Sequence, residues 1–344
     1  MKNDNKPTTV ALIFGGKGKE HDISVLGAKF IIKNINRECF TVYPVLIDKT
    51  GKWFLCADDF TPKFEVYPTL SDCGGGLAYE GGFIPLGCAF PFLHGDMGED
   101  GTVPGALETA GIKYVGSGVR AGAVASDKIL TKIVAEHLGI PVAKWICARG
   151  EAKDEHISKV SDDAEKAFGY PMFIKPSRLG SSVGASVVRN KKEFFASYKS
   201  AADLSDGAII VEELVDIDFE LECAYYGTKS KEIFTNLGKI KASSAFYDYE
   251  SKYINGSADI STGGVRDDIL KEVQSYSRRL RNFLEIKNIS RFDFFLTKSG
   301  KILFNEINTV PGFTESSLYP RLAAEAGVPT EELINSLLED AAFS

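Results

Sequence analysis

Two apolar runs near the C-terminus, residues 290–296 and 301–308, carry charged and amide side chains at regular spacing. The Thr-Lys-Ser-Gly segment between them predicts a turn, so the two runs together predict a β-hairpin. Side chains two residues apart lie on the same face of a strand. The pattern therefore predicts that Asp293 and Glu306 lie roughly opposite each other, with Asn308 on the same face.

Oxygen ligands clustered on one strand face suit a metal ion that is bound to a nucleotide polyphosphate. Carboxylate and amide oxygens are the hard donors that Mg²⁺ selects. Arg291 precedes Asp293 by two residues, and on that shared face its guanidinium could bind an oxyanion through two hydrogen bonds. The segment 309–313 predicts a turn that carries backbone amides toward a bound anion. The alternative is a solvated sheet face with ordinary cross-strand ion pairs.

A glycine-rich segment at residues 15–24 follows the first apolar strand and precedes a predicted helix. Glycine there permits close approach of the backbone, and a helix N-terminus favours anions. The segment has neither a dinucleotide-binding G-x-G-x-x-G context nor the G-K-[ST] ending of a P-loop. Simple capping of the helix is therefore an equal alternative.

Two further loops at the ends of predicted strands carry polar side chains among glycines. Residues 94–102 follow an apolar strand and begin with His94, and open α/β sheets place their ligands at such strand ends. The small-residue loop 175–184 begins with Lys175, and Lys128 lies on the preceding predicted helix. A lysine followed by serines suits contact with phosphate. The alternative for this second loop is an ordinary surface connection.

Regular strand and helix patterns must position these groups. Over roughly the first 120 residues, apolar strands at 8–14, 40–47 and 83–93 and a helix after residue 20 predict an open, largely parallel sheet. The next block is expected to be helical at 120–137, and the last block to be rich in strands. Further expected elements are strands at 143–148, 172–175 and 208–211, a helix at 191–202, and an amphipathic helix through 269–283.

Composition bounds the class of protein. A chain of 344 residues is long enough for two or three domains, and 44% hydrophobic with 25% charged residues is typical of soluble globular proteins. The net charge of −7 argues against non-specific binding to nucleic acid or anionic membranes. The first apolar run is too short for a signal peptide or a membrane span, and the six scattered cysteines indicate free thiols. We therefore expect a cytoplasmic protein.

Taken together, these segments make the chain resemble the D-alanine–D-alanine ligase family of ATP-grasp enzymes. The resemblance runs from Val10 to about Leu338 and rests on GGKGKEHDIS at 15–24, HGDMGEDGT at 94–102, KPSRLGSSVG at 175–184, FYDYESKY at 246–253 and NEINTVPG at 305–312. It implies an α/β fold class, with an N-terminal open parallel-sheet domain followed by a two-lobed ATP-grasp fold of α+β type. The implied boundaries are 1–120 for the N-terminal substrate domain, 121–211 for the central lobe and 212–344 for the C-terminal lobe with the metal and catalytic site.

The resemblance also implies roles in nucleotide binding. The implied ATP-binding set is Lys128, Lys175, Ser182, Glu212, Leu214, Glu220, Phe246 and Lys252. Its lysines at 128 and 175 correspond to those that hold the ATP phosphates, and its members at 212, 214 and 220 correspond to the adenine- and ribose-binding hinge. This hinge is one residue longer than is usual in the family, which leaves Glu220 and Asp218 as alternatives.

Catalytic and metal-binding roles follow from the same resemblance. The implied catalytic residues are Glu20, His94, Ser181, Tyr253 and Arg291, and the implied metal ligands are Asp293, Glu306 and Asn308. The first of these, Glu20, would pair with the ammonium of the first D-alanine and would form a hydrogen-bonded triad with Ser181 and Tyr253. His94 would lie beside the same substrate, and Arg291 would stabilise an oxyanion. The metal would be Mg²⁺ or Mn²⁺, and two such ions would bind together with ATP.

The activity implied is ATP-dependent ligation of two D-alanines through an acyl phosphate, for peptidoglycan precursor synthesis, in a homodimer. Gly312, Ser317 and Leu318 would bind the second substrate, and Leu318 favours D-alanine over D-serine or D-lactate. The segment 242–264 is expected to be a lid over the site. Leu179 and Glu315 depart from the family pattern. The alternatives are a related D-alanine–D-serine or D-alanine–D-lactate ligase, another ATP-grasp carboxylate–amine ligase, and a catalytically silent nucleotide-binding regulator.

Overall fold

Four β-sheets and the helices that cover them make up the part of the chain that the computed structural model describes, residues 6–149, 152–180, 182–205, 207–241 and 260–343. The helices are α1 (His21–Lys33), α2 (Thr102–Thr109), α3 (Val119–Ala125), α4 (Lys128–His137), α5 (Asp154–Phe168), α6 (Lys191–Asp203), α7 (Asp267–Leu284), α8 (Leu318–Glu325) and α9 (Thr330–Ala342). None of these described helices is long and apolar enough to cross a membrane.

The strands are short and are distributed along the whole described chain. They are β1 (Thr8–Gly15), β2 (Phe40–Ile47), β3 (Trp53–Cys56), β4 (Pro62–Glu65), β5 (Tyr67–Ser71), β6 (Gly74–Tyr79), β7 (Gly82–Pro85), β8 (Cys88–Phe92), β9 (Trp145–Arg149), β10 (Met172–Pro176), β11 (Ser186–Val188), β12 (Ala208–Glu213), β13 (Ile217–Gly227), β14 (Glu232–Lys241), β15 (Ile260–Thr262), β16 (Asn288–Thr297) and β17 (Ile302–Asn308). All six cysteines are free, as the sequence predicts.

The first sheet has the strand order β4-β3-β2-β1-β8. Its centre is parallel, because β1 pairs in parallel with both β2 and β8, and β1 is buried along most of its length as such strands usually are. Its other edge is antiparallel, since β3 pairs with β2 and β4 pairs with β3 in that sense. The prediction of a largely parallel sheet is therefore correct only for its centre.

The predicted single strand at 83–93 is wrong, because the structure divides it between two sheets. Residues before the break form β7, in an antiparallel sheet with β5 and β6, and residues after it form β8 in the first sheet. The backbone changes partners at this point: the amide of Leu86 donates to the carbonyl of Gly75, and the amide of Gly87 donates to that of Thr9. Gly75 itself lies in β6, where the sequence indicates only a connection.

The C-terminal helices complete the core of the first sheet. Leu337 and Leu338 on α9 are fully buried in the same hydrophobic cluster as Val10 and Phe90 of the first sheet. The side-chain oxygen of Asn335 accepts a hydrogen bond from the amide of Asn36, at 2.8 Å. The end of the chain therefore packs on its beginning, and the division into 1–120, 121–211 and 212–344 stays a prediction.

A four-stranded antiparallel sheet, β11-β10-β12-β9, forms the central part of the chain and packs against α5 and α6. The predicted helix at 120–137 is in fact α3 followed by α4. Asp127 breaks it, because its carboxylate accepts hydrogen bonds from the amides of Ile129 and Leu130 and so caps a new helix that begins at Lys128. This cap fixes the position of Lys128.

The third large sheet is antiparallel, with strand order β15-β14-β13-β16-β17, and α7 packs on one of its faces. The predicted hairpin is confirmed as β16 and β17, with Asp293 opposite Glu306 and Arg291 opposite Asn308. The predicted amphipathic helix is confirmed as α7, whose buried side includes Val273. The face of the sheet away from α7 is left to carry the polar side chains.

Packing of α9 on the first sheet can be tested by substitution. We expect Leu338→Ala to lower the free energy of unfolding by about 2–5 kcal/mol, because the side chain is fully buried and its removal leaves a cavity. Urea denaturation measures the change. The control is Glu339→Ala, on the exposed side of the same helix, which should change stability by no more than about 0.5 kcal/mol. Equal effects of the two substitutions would contradict this packing.

Candidate active site

Two adjoining cavities contain most of the residues that the sequence singles out. The first, of about 760 Å³, is lined by Glu20, His94, Arg291 and Asn308 together with Gly312, Ser317 and Leu318. The second, of about 670 Å³, lies between the four-stranded sheet that contains β10 and β12 and the five-stranded sheet that contains β13 and β17, and it is lined by Lys175, Ser182, Glu212, Leu214 and Glu220. Lys128 and Glu306 line both cavities, so the two spaces meet at these side chains.

Some predicted site residues are not among these linings. Asp293 lines neither cavity and is only 9% exposed. Ser181, Phe246, Lys252 and Tyr253 lie outside the described residues, as does most of the predicted lid at 242–264. Their roles stay predictions. Asp218 lines the second cavity together with Glu220, so the alternative between these two carboxylates stays open.

Charged side chains on the β16–β17 hairpin pair with each other across its face. Arg291 donates two hydrogen bonds to Asp293, from Nε to Oδ1 at 2.7 Å and from its terminal nitrogen to Oδ2 at 2.6 Å. The side-chain nitrogen of Asn308 donates to Asp293 Oδ2 at 2.9 Å, and Lys128 Nζ lies 3.1 Å from Glu306 Oε2. Each carboxylate is thus paired with a cation.

The hairpin has the donor chemistry that a magnesium ion requires. Asp293, Glu306 and Asn308 offer carboxylate and amide oxygens from one face of the hairpin, and hard oxygen donors of this kind suit Mg²⁺ or Mn²⁺. Within the described ranges, no group of three or more His, Cys, Asp or Glu side chains forms a metal site by itself. An ion held by two carboxylates and one amide of the hairpin would complete its coordination with water or with oxygens of a bound ligand.

Glu222 is a carboxylate in the site that sequence reasoning misses. It lies opposite Asp293 across β13 and β16, is 6% exposed, and its Oε2 lies 3.2 Å from Arg291 Nε. Arg291 is thus placed between two acidic side chains. The alternation of Glu220 and Glu222 around buried Leu221 was the available signal, because it puts both carboxylates on one face of the strand.

A buried ion-pair chain lies at the floor of the second cavity. Glu212 binds Lys175 Nζ through Oε2 at 2.7 Å and Lys132 Nζ through Oε1 at 2.6 Å, and all three side chains are less than a tenth exposed. Burial alone would raise the pKa of Glu212, but the two ammonium groups outweigh it and lower that pKa to about 2. Burial also lowers the pKa of Lys175, which Glu212 opposes. Lys132 is a second residue that sequence reasoning misses.

His94 is held neutral and oriented. Its Nδ1 lies 2.9 Å from the carbonyl oxygen of Val310, so Nδ1 carries the proton and donates it. Burial lowers the pKa of His94 to about 4, with a smaller contribution from Arg291. Nε2 is buried and has no hydrogen-bond partner among the described residues. It is therefore an unused acceptor in a residue that lines the first cavity.

Glu20 and Glu99 lie at the loop that follows β8. Gly95 takes a φ of +64°, and a Cβ added there would lie only 2.6 Å from Glu20 Oε2, so glycine permits this close approach. Glu99 accepts hydrogen bonds from the amides of Gly95 and Val310, at 2.9 and 3.1 Å. Burial, and secondly the charge of Glu20, raise the pKa of Glu99 to about 7. Sequence reasoning includes Glu99 in its motif but gives it no role.

The residues that are predicted to bind the second substrate lie close together at the start of α8. Ser317 Oγ accepts a hydrogen bond from the amide of Thr314 at 2.9 Å. Leu318 is 8% exposed, and a Cβ added to Gly238 would lie 2.2 Å from one of its methyl groups. This glycine therefore allows Leu318 to lie flat against β14. The result is an apolar wall beside a hydroxyl group.

The raised pKa of Glu99 makes stability depend on pH. Its folded-state pKa of about 7 exceeds the ordinary glutamate pKa of 4.5, so the folded state binds more protons between these values. The stabilising contribution of Glu99 is fully present below the pKa that this carboxyl has in the unfolded chain. It is lost as pH rises through about 7. We expect the loss of unfolding free energy between pH 5 and pH 8, measured with urea without added metal, to be smaller in Glu99→Gln than in the wild type. Equal losses in both proteins would contradict this assignment.

The chain matches two protein-family models over most of its length. Residues 9–117 match "D-ala D-ala ligase N-terminus", and residues 134–339 match "D-ala D-ala ligase C-terminus". A D-alanine–D-alanine ligase of Pelodictyon phaeoclathratiforme is 38% identical, over 96% of this chain and 97% of the relative. Another, of Caldicellulosiruptor bescii, is 36% identical over 96% of this chain and 93% of the relative.

Solved structures agree with these sequence matches. D-alanyl-alanine synthetase A of Vibrio cholerae superposes with a TM-score of 0.85 at 30% identity, covering 98% of this chain and 99% of that one. The VanG D-Ala:D-Ser ligase of Enterococcus faecalis gives a TM-score of 0.86 at 31% identity, covering 97% and 99%. Together with the family models, these matches over nearly the whole length show that the chain belongs to the D-alanine–D-alanine ligase family of ATP-dependent ligases.

Proposed function

We propose that this protein joins two D-alanine molecules to D-alanyl-D-alanine at the expense of ATP, as a step in the synthesis of a peptidoglycan precursor. The observation that carries the proposal is the meeting of the two cavities at Lys128 and Glu306. A carboxylate substrate in the first cavity can there approach the terminal phosphate of a nucleotide in the second. Family membership supplies the identity of the substrates.

The second cavity is our proposed nucleotide site. The backbone around Leu214 and the carboxylates of Glu220 or Asp218 would hold the adenine and ribose, and the cavity lies between two sheets as a flat base requires. Lys175 and Lys128 would hold the phosphates, with the small residues around Ser182 covering them. Phe246 and Lys252 are proposed members of the same site on the strength of the family resemblance alone.

We propose that two ions, Mg²⁺ or Mn²⁺, bind at the hairpin together with ATP. Their protein ligands would be Asp293, Glu306 and Asn308. Such ions neutralise phosphate charge and so favour phosphoryl transfer. Binding there requires Arg291 and Lys128 to leave their present carboxylate partners. Glu222, 3.2 Å from Arg291 Nε, keeps the guanidinium paired and close when Asp293 changes partner. Arg291 is then directed to the first cavity, which it lines.

The first cavity is our proposed site for the two amino acids. The ammonium of the first D-alanine would bind Glu20, with the bare Nε2 of His94 as an acceptor nearby. Its carboxylate oxygen attacks the γ-phosphorus, and the bond to the ADP oxygen breaks to give an acyl phosphate. The amine of the second D-alanine then attacks the carbonyl carbon, and phosphate leaves. Arg291 stabilises the negative oxygen of the tetrahedral intermediate.

Water must be kept from the acyl phosphate, because hydrolysis would waste it. We propose that the segment 242–264 closes over the two cavities and that Ser181 and Tyr253 fasten it to Glu20. Glu20 lies close to the loop 175–184, since a Cβ added to Gly180 would lie 3.7 Å from its Oε2. We further propose a cytoplasmic homodimer, as in the resemblance described above.

The second amino acid is proposed to lie against Ser317, Leu318 and Gly312. The hydroxyl of Ser317 suits its carboxylate, and the apolar side chain of Leu318 suits a methyl group. The structural likeness to a D-Ala:D-Ser ligase makes D-serine the alternative second substrate to test.

A substrate panel tests the activity directly. We expect phosphate release from ATP with D-alanine, much less when D-serine or D-lactate is offered as the second substrate, and none with L-alanine alone. Glu306→Gln should abolish release while circular dichroism and the Tm stay unchanged. The control is Glu339→Gln, which alters an exposed carboxylate away from both cavities. Absence of phosphate release with every substrate would contradict the proposed function.

The contact of Gly95 with Glu20 gives a second test. Because an added Cβ would lie 2.6 Å from Glu20 Oε2, Gly95→Ala should displace that carboxylate. We expect a rise in the KM for D-alanine of roughly tenfold or more, since small displacements of positioning groups cost that much, with the KM for ATP changed little. Gly81→Ala is the control, at another positive φ with open space around it. Equal effects on both KM values would argue against the assigned role of Glu20.

A further inference from the structure

Lys132 is a buried cation to which neither the sequence motifs nor the proposed reaction gives a role. It lies one turn after Lys128 on α4, and its side chain is only 1% exposed. Among the described residues that line the two cavities, Lys132 is absent, so it is not placed to touch a ligand directly. Its ammonium forms an ion pair with Glu212, at 2.6 Å.

A buried ion pair is weak evidence for stability. Removing an ammonium from water is costly, and replacing a whole buried ion pair or triad by apolar residues of similar size is often neutral or stabilising. Without Lys132, Glu212 and Lys175 would still form a balanced pair at 2.7 Å. The distinctive effect of Lys132 is therefore on the charge and geometry of that pair.

The effect of Lys132 on the pair is electrostatic and geometric. Glu212 divides its two carboxylate oxygens between two ammonium groups, so the three side chains together carry a net charge of +1. Lys132 also keeps Glu212 ionised, because its charge helps to lower the pKa of that carboxyl to about 2. If Lys132 were neutral, Glu212 would cancel the charge of Lys175 and would be free to rotate toward it.

We propose that Lys132 is a positioning residue for nucleotide binding, acting through Glu212 on Lys175. Lys132 fixes one oxygen of Glu212 so that the other holds Lys175 at the cavity floor, where its Nζ lies 3.5 Å from Asn305 Oδ1. The shared carboxylate leaves positive charge at Lys175 for the phosphates. This inference rests on the proposed function, in which Lys175 contacts ATP.

Calorimetric ATP binding to Lys132→Met tests the proposal. We expect the Kd for ATP and the KM for ATP to rise about tenfold, the size of a typical coupling between contacting residues, with the KM for D-alanine within about twofold of wild type. The matched control is Lys271→Met, an exposed lysine on α7. Unchanged ATP affinity in Lys132→Met would overturn the inference, whereas a wild type that does not bind ATP would contradict the proposed function itself.

A double-mutant cycle distinguishes action through Lys175 from an independent effect. In a Lys175→Met background, Lys132→Met should change the Kd for ATP by less than about twofold, because the group through which it acts is gone. An undiminished effect in that background would overturn the inference. Lys132→Arg, which keeps the charge, should restore part of the affinity.

Folding of the variants serves as a built-in check. Lys132→Met keeps the balanced Glu212–Lys175 pair but removes the partner of Glu212 Oε1, so its Tm should fall only modestly. Glu212→Gln leaves two buried ammonium groups without a carboxylate and should lower the Tm clearly. If the methionine variant does not fold, Lys132→Gln, which keeps a hydrogen-bond donor for Glu212 but removes the charge, gives the same readout with the same outcomes.

Discussion

Strand β17 contains one extra residue, Asn305, between Phe304 and the pairing of Glu306 with Asp293. An extra residue shifts the alternation of side chains by one, so Phe304 points into the core before the bulge and Ile307 does so after it. In a regular strand Glu306 would face the core and Asn305 would lie opposite Asp293. The bulge thus turns Glu306 toward the cavities and produces the carboxylate pair on which the proposed metal site and the junction of the two cavities depend.

Ion pairs between different elements hold this junction together. Lys128 at the start of α4 reaches Glu306 on β17, and Lys175 on β10 reaches Glu212 on β12. The charges of the Lys175–Glu212 pair are buried and strongly coupled, since little water screens them. A nucleotide and its metal would exchange partners with these groups, because each cation meets a phosphate and each hairpin carboxylate meets an ion. Ion pairs within the protein thus neutralise these charges, and contacts to the ligands can replace those ion pairs.

The local sequence predicts elements and motifs better than it predicts how they meet. Alternation in 290–308 predicted the hairpin and the approach of Asp293 to Glu306, both of which are confirmed. The pattern contains no signal for the bulge, because an irregularity of one residue is set by packing on both faces. Lys132 and Glu222 were missed for a related reason: their partners lie on other secondary-structure elements, and pairing of that kind is tertiary. The cap at Asp127 was missed as well, although aspartate before an apolar run favours a helix start.

Packing of α9 against the first sheet has a consequence for biosynthesis. Leu338 and its neighbours finish the core that Val10 begins, so contacts of very large sequence separation close the first sheet. Such contacts slow folding, because a long loop must close before they form. During translation the N-terminal sheet emerges early but keeps an apolar face uncovered until the last helix leaves the ribosome. The nascent chain therefore depends on its own final residues, or on chaperones, to shield that face.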